Sequence, residues 1–92
     1  MNWTWDPAKD RSNKLKHGLD FALAQDVLDD PLALSRFEMN YEGEGRWQTI
    51  GLVGPVLIIV VHTLLEDGIS GRIISARSAS RHERKAYEEG EF

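Results

Sequence analysis

The stretch that most constrains the fold is residues 56–63, Val-Leu-Ile-Ile-Val-Val-His-Thr. Its apolar residues are consecutive, so an extended chain here would present apolar side chains on both faces, whereas a strand with one solvated face would alternate. Gly54-Pro55 makes a tight corner before the stretch, and Asp67-Gly68 after it favours the primed turns of a hairpin. Residues 56–63 are therefore predicted to be the central strand of a sheet.

Strand patterns flank this central strand on both sides. Residues 32–39 and 46–53 each alternate with period two, and turn residues fill positions 40–45 between them. Residues 72–77 carry β-branched side chains between turn signals, and residues 1–5 alternate as a short first strand would. Four antiparallel strands in meander order, with two helices before them and one after, predict an α+β domain.

The two N-terminal helices are indicated by residues typical of helix ends. Asp6-Pro7 combines an N-cap with a proline at the first helical position, which predicts a helix over residues 7–16 that ends at Gly18. Asp20 can cap a second helix, which Asp29-Asp30-Pro31 stops. The apolar stripe of the second helix consists of Phe21, Ala24, Val27 and Leu28. The short connection predicts a helical hairpin.

The C-terminal third predicts a strand that runs directly into a helix. Ser80 and Glu83 stand three residues apart at the start of this helix, which is the capping-box pattern. Basic side chains gather at this corner of an otherwise acidic chain: Arg72, Arg77, Arg81, Arg84 and Lys85. Such a cluster provides the guanidinium groups that bind phosphate through paired hydrogen bonds.

Length and composition set limits on the class of protein. Ninety-two residues correspond to one domain, residues 1–92, and the chain has no cysteine, which is compatible with a reducing cytoplasm. We expect no signal peptide and no membrane span, because the longest apolar run is far too short to cross a bilayer. The net charge of −4 disfavours nucleic acid as a partner except through a local basic patch.

The predicted hairpin register decides which side chains meet. If Asp67-Gly68 is the turn, His62 lies opposite Ile73. His62, Ser75 and Arg77 would then share one face, and Arg72 would lie on the other with Thr63, Ile74 and Ala76. A one-residue error in the turn would exchange the faces. The predicted site beside the last helix contains His62, Arg77, Arg81 and Tyr87.

These side-chain types suit metal-independent cleavage of RNA. An imidazole transfers protons near neutral pH, and arginines hold a phosphate and stabilise the charge that builds on it. Structural roles remain open for each residue. His62 can be a packed strand residue, Arg77 can pair with Glu83 or Glu88, and Tyr87 can anchor the last helix. Lys16 and His17, at a helix end, can simply complement the helix dipole.

Other chemistries have less support in the sequence. The three histidines lack the spacing of a zinc site, and the glycines near residue 43 fall in a hairpin turn rather than between a strand and a helix. Without cysteine there is no thiol nucleophile. We therefore expect neither a metal nor a cofactor.

Several motifs stand out along nearly the whole chain. They are Trp5-Asp6-Pro7-Ala8-Lys9, Asn13, Lys16-His17-Gly18, Phe21, Ala24, Val27, Asp30-Pro31, Arg46, Gly51, Arg72-Ile-Ile-Ser-Ala-Arg77, Glu83-Arg84 and Tyr87. Together they resemble the BrnT-type toxins, the ribonuclease components of type II toxin–antitoxin systems. The resemblance implies a RelE-like fold and RNA cleavage that halts translation. It also implies a cytoplasmic protein whose partner is a DNA-binding antitoxin, of the ribbon-helix-helix type, that represses the operon. By the same resemblance Lys16, His17, Arg72 and Arg84 are candidate RNA-binding residues.

The sequence departs from the family pattern in three places. The turn at residues 40–45 lacks a histidine often found there, residues 64–66 read Leu-Leu-Glu where the family has an acidic residue followed by arginine, and the hairpin after them is longer. Two hypotheses follow. The chain is a ribonuclease toxin, or it is a degenerate toxin that binds its antitoxin and acts as a co-repressor without cleaving RNA.

Overall fold

Three helices pack around one mixed sheet of five strands in the part of the chain that the structure describes. The structure is a computed structural model that describes residues 3–39, 43 and 45–92. The helices are α1 (Pro7–His17), α2 (Phe21–Leu28) and α3 (Arg81–Glu88). The strands are β1 (Trp3–Thr4), β2 (Leu34–Met39), β3 (Gly45–Val53), β4 (Val56–His62) and β5 (Gly71–Ser78). Residues 1–2 of the predicted first strand, and residues 40–42 and 44 of the predicted turn, lie outside the described residues.

The sheet has the order β1-β5-β4-β3-β2, which puts β4 in the centre as predicted. Strands β2 to β5 form the predicted antiparallel meander, and the α+β class is confirmed. The four-stranded description is incomplete, because β1 adds a fifth strand parallel to β5, with Trp3 opposite Gly71. Only glycine fits at that position, since a Cβ on Gly71 would lie 2.0 Å from the carbonyl oxygen of Thr63 and 3.0 Å from the Trp3 ring.

The predicted capping residues form the helix ends. Asp6 Oδ1 accepts from the Ala8 N–H at 2.9 Å, and Asp20 Oδ1 accepts from the Leu23 N–H at 2.8 Å. Gly18 ends α1 at a φ of 73°, a conformation that favours glycine. None of the helices in the described part of the chain has the length and apolar character needed to cross a bilayer.

Apolar clusters lie on both faces of the sheet. On the face covered by α2, here the α2 face, the buried residues are Phe21, Ala24, Val27, Ile58, Val60, Ile73 and Ala76. On the opposite face, here the α3 face, Ile50, Leu57 and Ile59 pack against Leu34, Ala79, Tyr87 and Phe92. The central strand β4 contributes to both clusters, which explains its continuous apolar sequence.

The pairing of β4 with β5 contains a one-residue irregularity. His62 pairs with Ile73, as the turn predicts, but Val61 pairs with Ser75. Ile74 is therefore an extra residue, a β-bulge, in β5. Because side chains alternate with period two, one inserted residue moves all the later side chains of β5 to the opposite face.

The bulge separates residues that were predicted to share a face. His62 lies on the α2 face with Val60, whereas Arg77 pairs with Ile59 and lies on the α3 face. The prediction that His62, Ser75 and Arg77 lie together is therefore wrong. Ala76, predicted to share a face with Arg72, is also on the α2 face in the apolar cluster.

Asn13 of α1 covers the outer edge of β5 beyond the end of β1. Its Nδ2 donates to the Ala76 carbonyl at 2.9 Å, and its Oδ1 accepts from the Ala76 N–H at 3.1 Å. The same Nδ2 donates to the Leu19 carbonyl at 2.8 Å. One buried amide thus replaces a neighbouring strand and fixes α1 against the sheet, satisfying backbone groups that would otherwise be unpaired.

Replacing Asn13 with alanine is expected to lower the free energy of unfolding by about 2–4 kcal/mol, because buried backbone groups of Ala76 lose their partners. Urea unfolding followed by circular dichroism measures this. Ser12→Ala, at an exposed neighbouring position, is the control and should change the free energy by less than about 0.5 kcal/mol. Equal effects of the two substitutions would contradict the proposed edge role.

Candidate nucleic-acid interface

The α3 face has an apolar part beneath α3 and a polar part outside it. Strand pairing places the side chains in rows across the sheet. The row beneath α3 is Leu34, Ile50, Ile59 and Arg77, and the next row is Arg36, Gln48, Val61 and Ser75. None of the four residues in the second row is buried. We call the second row, with Arg77 at the end of the first, the polar row surface.

A bidentate ion pair fixes Arg77 at the edge of this surface. Its Nη1 donates to Glu83 Oε1 at 2.8 Å, and its Nη2 donates to Glu83 Oε2 at 2.8 Å. Glu83 Oε1 also accepts from the Ser80 N–H at 2.8 Å, and Ser80 Oγ accepts from the Glu83 N–H at 3.2 Å, which confirms the predicted capping box. The hydrogen bonds from Arg77 lower the pKa of Glu83 from 4.5 to about 2. The same hydrogen bonds raise the pKa of Arg77.

The ion pair leaves one edge of the Arg77 guanidinium for a ligand. A guanidinium has five N–H donors in one plane. Glu83 accepts one hydrogen bond from each Nη, and the Ser78 carbonyl accepts another from Nη1 at 3.3 Å. The remaining Nε–H and Nη2–H lie side by side, and no group among the described residues accepts from them. Their spacing matches two oxygens of one phosphate, and the side chain is 40% exposed.

His62 is held away from this surface. The ring is on the α2 face at 2% exposure and packs against Trp3 in a T-shaped arrangement, with 5.0 Å between the ring centroids. Because a carbonyl only accepts, Nδ1 donates to the Thr63 carbonyl at 2.9 Å, so Nε2 accepts from Thr49 Oγ1 at 2.7 Å. Thr49 Oγ1 in turn lies 2.7 Å from Ser35 Oγ. Both ring nitrogens are occupied, and burial lowers the pKa of His62.

Lys16 and His17 lie on the other side of the β5 edge. Both are exposed at the end of α1 and line a cleft of about 190 Å³. The other lining residues are Lys9, Ser12, Asn13, Ile74 and Ser75. Ser75 belongs to the second row of the polar row surface, so the cleft and the surface meet at this residue. The structure thus brings the Lys16-His17 pair next to the strand segment that carries Arg77.

The remaining predicted residues are distributed over β5 and α3. Arg72 is exposed and lines a separate cleft with Thr63 and Asp67. Arg81 and Arg84 are exposed on α3. Tyr87 is half-buried and packs against the apolar cluster of the α3 face, so its ring contributes to anchoring α3.

The sequence analysis missed two residues of the surface that lie on β2 and β3. Arg36 Nε donates to Gln48 Oε1 at 2.8 Å, and the Arg36 guanidinium carbon lies 4.3 Å from the centroid of the Phe92 ring. Two polar residues on one side of the predicted strand, Arg36 and Glu38, were the available signal, but they also fit an ordinary solvated strand face. Within the described residues, no three His, Asp or Glu side chains come together as metal ligands.

The burial of His62 predicts sensitivity to acid. The fold favours the neutral ring, so below about pH 6.5 the unfolded chain takes up a proton that the folded chain resists, and the free energy of unfolding falls. The contribution is at most about 1.4 kcal/mol per pH unit. Thermal unfolding measured between pH 8 and pH 5 tests this. The loss of stability with falling pH should be smaller in His62→Gln than in the wild type, and it should be unchanged in His82→Gln, a substitution at an exposed position. Equal slopes for His62→Gln and the wild type would contradict it.

The Glu83 pair predicts a second pH dependence at lower pH. Its stabilisation is present above pH 4.5 and is lost as the pH falls towards 2, because the folded pKa is depressed. Since Arg77 is 40% exposed, Glu83→Gln should lower the free energy of unfolding at pH 7 by only about 1 kcal/mol. Urea unfolding measures this, with Glu88→Gln as an exposed control on the same helix. The difference between wild type and Glu83→Gln should shrink as the pH falls from 4.5 towards 2; a difference that stays constant over this range would contradict the ionic contribution.

Comparison with known proteins assigns the chain to a family. The family model described as the ribonuclease toxin BrnT of a type II toxin–antitoxin system matches residues 5–83, which run from the end of the first strand into α3. No curated protein matches the chain. The match spans the Lys16-His17 cleft and all of β5, including Arg77. The chain therefore belongs to the BrnT family of ribonuclease toxins of type II toxin–antitoxin systems.

Proposed function

We propose that this chain is an endoribonuclease that cleaves RNA without a metal ion and is held inactive by a cognate antitoxin. The observation that carries the proposal is the donor edge of Arg77, formed by Nε–H and Nη2–H, for which the described residues provide no acceptor. Glu83 fixes this guanidinium at the border of the polar row surface. A guanidinium held in this way is preorganised to bind a phosphate and to stabilise the charge that develops on it during reaction.

The reaction that fits these groups uses the RNA's own 2′-hydroxyl as nucleophile. The 2′-oxygen forms a bond to the adjacent phosphorus as a base removes its proton, and the bond from phosphorus to the 5′-oxygen breaks as an acid protonates the leaving oxygen. The products are a 2′,3′-cyclic phosphate and a free 5′-hydroxyl. The Nε–H and Nη2–H of Arg77 would contact the non-bridging oxygens, with Lys16 adding positive charge from the adjoining cleft.

The geometry favours His17 over His62 as the residue that transfers a proton. His62 is buried on the opposite face, and both of its ring nitrogens have protein partners. His17 is exposed in the cleft that Ser75 shares with the polar row surface. The proposed role of His62 therefore becomes structural, and His17 takes its place in the site.

The other basic residues suit the binding of the RNA backbone. Arg72, Arg81 and Arg84 are exposed and add positive charge along β5 and α3. Contacts of this kind with phosphates are independent of sequence and weaken as the salt concentration rises. Tyr87 contributes through the position of α3, because its ring packs into the apolar cluster.

The partner that fits this proposal is a DNA-binding antitoxin, of the ribbon-helix-helix type, that covers the polar row surface. The family defines the toxin as one half of a toxin–antitoxin pair. Operator DNA would then be reached only through the antitoxin, since the toxin chain has a net charge of −4. RNA cleavage by the free toxin would halt translation in the cytoplasm.

A second candidate function is supported by the charge balance of the site. Glu83 neutralises Arg77, and the chain is acidic overall, which weakens attraction for RNA. A toxin with these features would survive as a binding partner and co-repressor of its antitoxin without cleaving RNA. This candidate predicts a tight complex with the antitoxin and no RNA turnover.

Cleavage of RNA by the antitoxin-free protein in EDTA separates the two functions. The wild type should produce 2′,3′-cyclic phosphate ends, and Arg77→Ala should lose about 10²–10³-fold in rate through the lost charge stabilisation. His17→Ala should lose about 10²–10⁴-fold, because it removes proton transfer. His82→Ala, an exposed histidine on α3, is the matched control.

The outcomes assign the function as follows. Cleavage by wild type and His82→Ala, but not by Arg77→Ala or His17→Ala, establishes the proposed site if circular dichroism shows both variants folded. Full activity in a folded Arg77→Ala variant would refute the site. A folded wild type that cleaves no RNA at low salt, yet binds its antitoxin, would establish the co-repressor.

A further inference from the structure

We propose that Arg36, held on the Phe92 ring, is a stacking platform for a nucleobase of single-stranded RNA. The inference rests on the proposed function, because it assumes that RNA lies on the polar row surface. It adds a base-binding position on β2, far from the phosphate position at Arg77. Four observations support it: the contact with Phe92, the hydrogen bond to Gln48, the exposure of Arg36, and its place in the sheet.

The guanidinium of Arg36 is supported on one face and restrained at one edge. Its central carbon lies 4.3 Å from the centroid of the Phe92 ring, and its Nε donates to Gln48 Oε1 at 2.8 Å. Phe92 is itself packed against the apolar cluster of the α3 face, so the support is anchored in the fold. An arginine with these contacts loses little conformational freedom when a ligand binds.

Arg36 is exposed to solvent although the Phe92 ring lies against its guanidinium. The accessible part of the side chain therefore lies away from the Phe92 contact. A flat guanidinium stacks well on an aromatic plane, and single-stranded RNA presents unstacked bases for such contacts. The hydrogen bond to Gln48 takes the Nε–H and blocks a side-on phosphate fork, whereas stacking on the guanidinium plane does not compete with that hydrogen bond.

The platform lies at a distance from Arg77 that a short RNA segment can span. Arg36, Gln48, Val61 and Ser75 are successive members of one row, on four neighbouring strands. With strands about 4.8 Å apart, Arg36 lies roughly 14 Å from Ser75 along this row. A strand bound with one phosphate at Arg77 and running across the row would bring a base a few nucleotides away over Arg36. Base contacts there would bias the choice of cleavage site.

The test asks whether the Arg36 side chain and one particular base of the RNA contribute to binding through the same contact. A short RNA carrying 2′-O-methyl groups cannot react through its 2′-hydroxyls, so its binding is measured without cleavage by fluorescence anisotropy. One abasic nucleotide is moved through the RNA, position by position. In the wild type, one position should cost about 5- to 150-fold in affinity, the range for a stacked base.

The Arg36→Lys substitution keeps the positive charge and removes the planar guanidinium. In this variant, binding of the intact RNA should weaken by a similar factor, and the abasic nucleotide at the sensitive position should cost nothing further. Phe92→Leu, which keeps an apolar side chain but removes the ring, should give part of the same loss and guards against failure of Arg36→Lys to fold. Arg11→Lys, an exposed arginine on α1, is the control and should keep the abasic effect unchanged.

The result separates this inference from the function on which it rests. If the wild type binds RNA but the abasic cost is the same in Arg36→Lys and in folded Phe92→Leu, the platform is refuted and the ribonuclease proposal stands. If the wild type binds none of these RNAs at low salt, the proposed function fails and the platform fails with it.

Discussion

The β-bulge at Ile74 determines which side chains of β5 are available for function. In a regular strand Ile73 and Arg77 would share a face, and Arg77 would enter the apolar layer beneath α2, where Ile73 is 1% exposed. Burying an unpaired guanidinium there would cost several kcal/mol. The inserted residue lets Ile73 and Ala76, three positions apart, both face α2. Arg77 then emerges on the α3 face, where Glu83 can reach it.

The sequence was most informative where the signals were local. Helix ends depend on one or two side chains and the next few backbone groups, so Asp6, Gly18 and Ser80 predicted them correctly. The register between His62 and Ile73 also followed from its turn. The position of the bulge depends on how β5 packs on the α2 face and on the α3 face of the sheet, and no local sequence pattern contains that information. The spacing of buried Ile73 and Ala76 becomes a signal only once their burial is known.

The partners of His62 show a further limit of prediction from sequence. The ring is held by Thr49 of β3 and the Thr63 carbonyl, and Ser35 of β2 lies beyond Thr49. These groups come from separate strands, so the sequence alone could not decide between a catalytic and a packed histidine. The packed alternative stated for His62 is the arrangement that the structure shows. The pairing of Arg77 with Glu83 was likewise one of two alternatives, and the structure distinguishes them.

The acidic composition of the chain is compatible with exposed arginines on the sheet, because several carboxylates hold local backbone structure. Asp6 and Asp20 cap helices, Asp10 accepts from the Phe21 N–H, and Asp67 accepts from two N–H groups in the turn before β5. These charges are fixed at helix ends and a loop. The arginines of β2 and β5 extend from the sheet, and among the described residues Glu83 is the carboxylate that directly neutralises one of them. Net charge is therefore a poor guide to the charge of any one face, because the fold decides where the charged side chains lie.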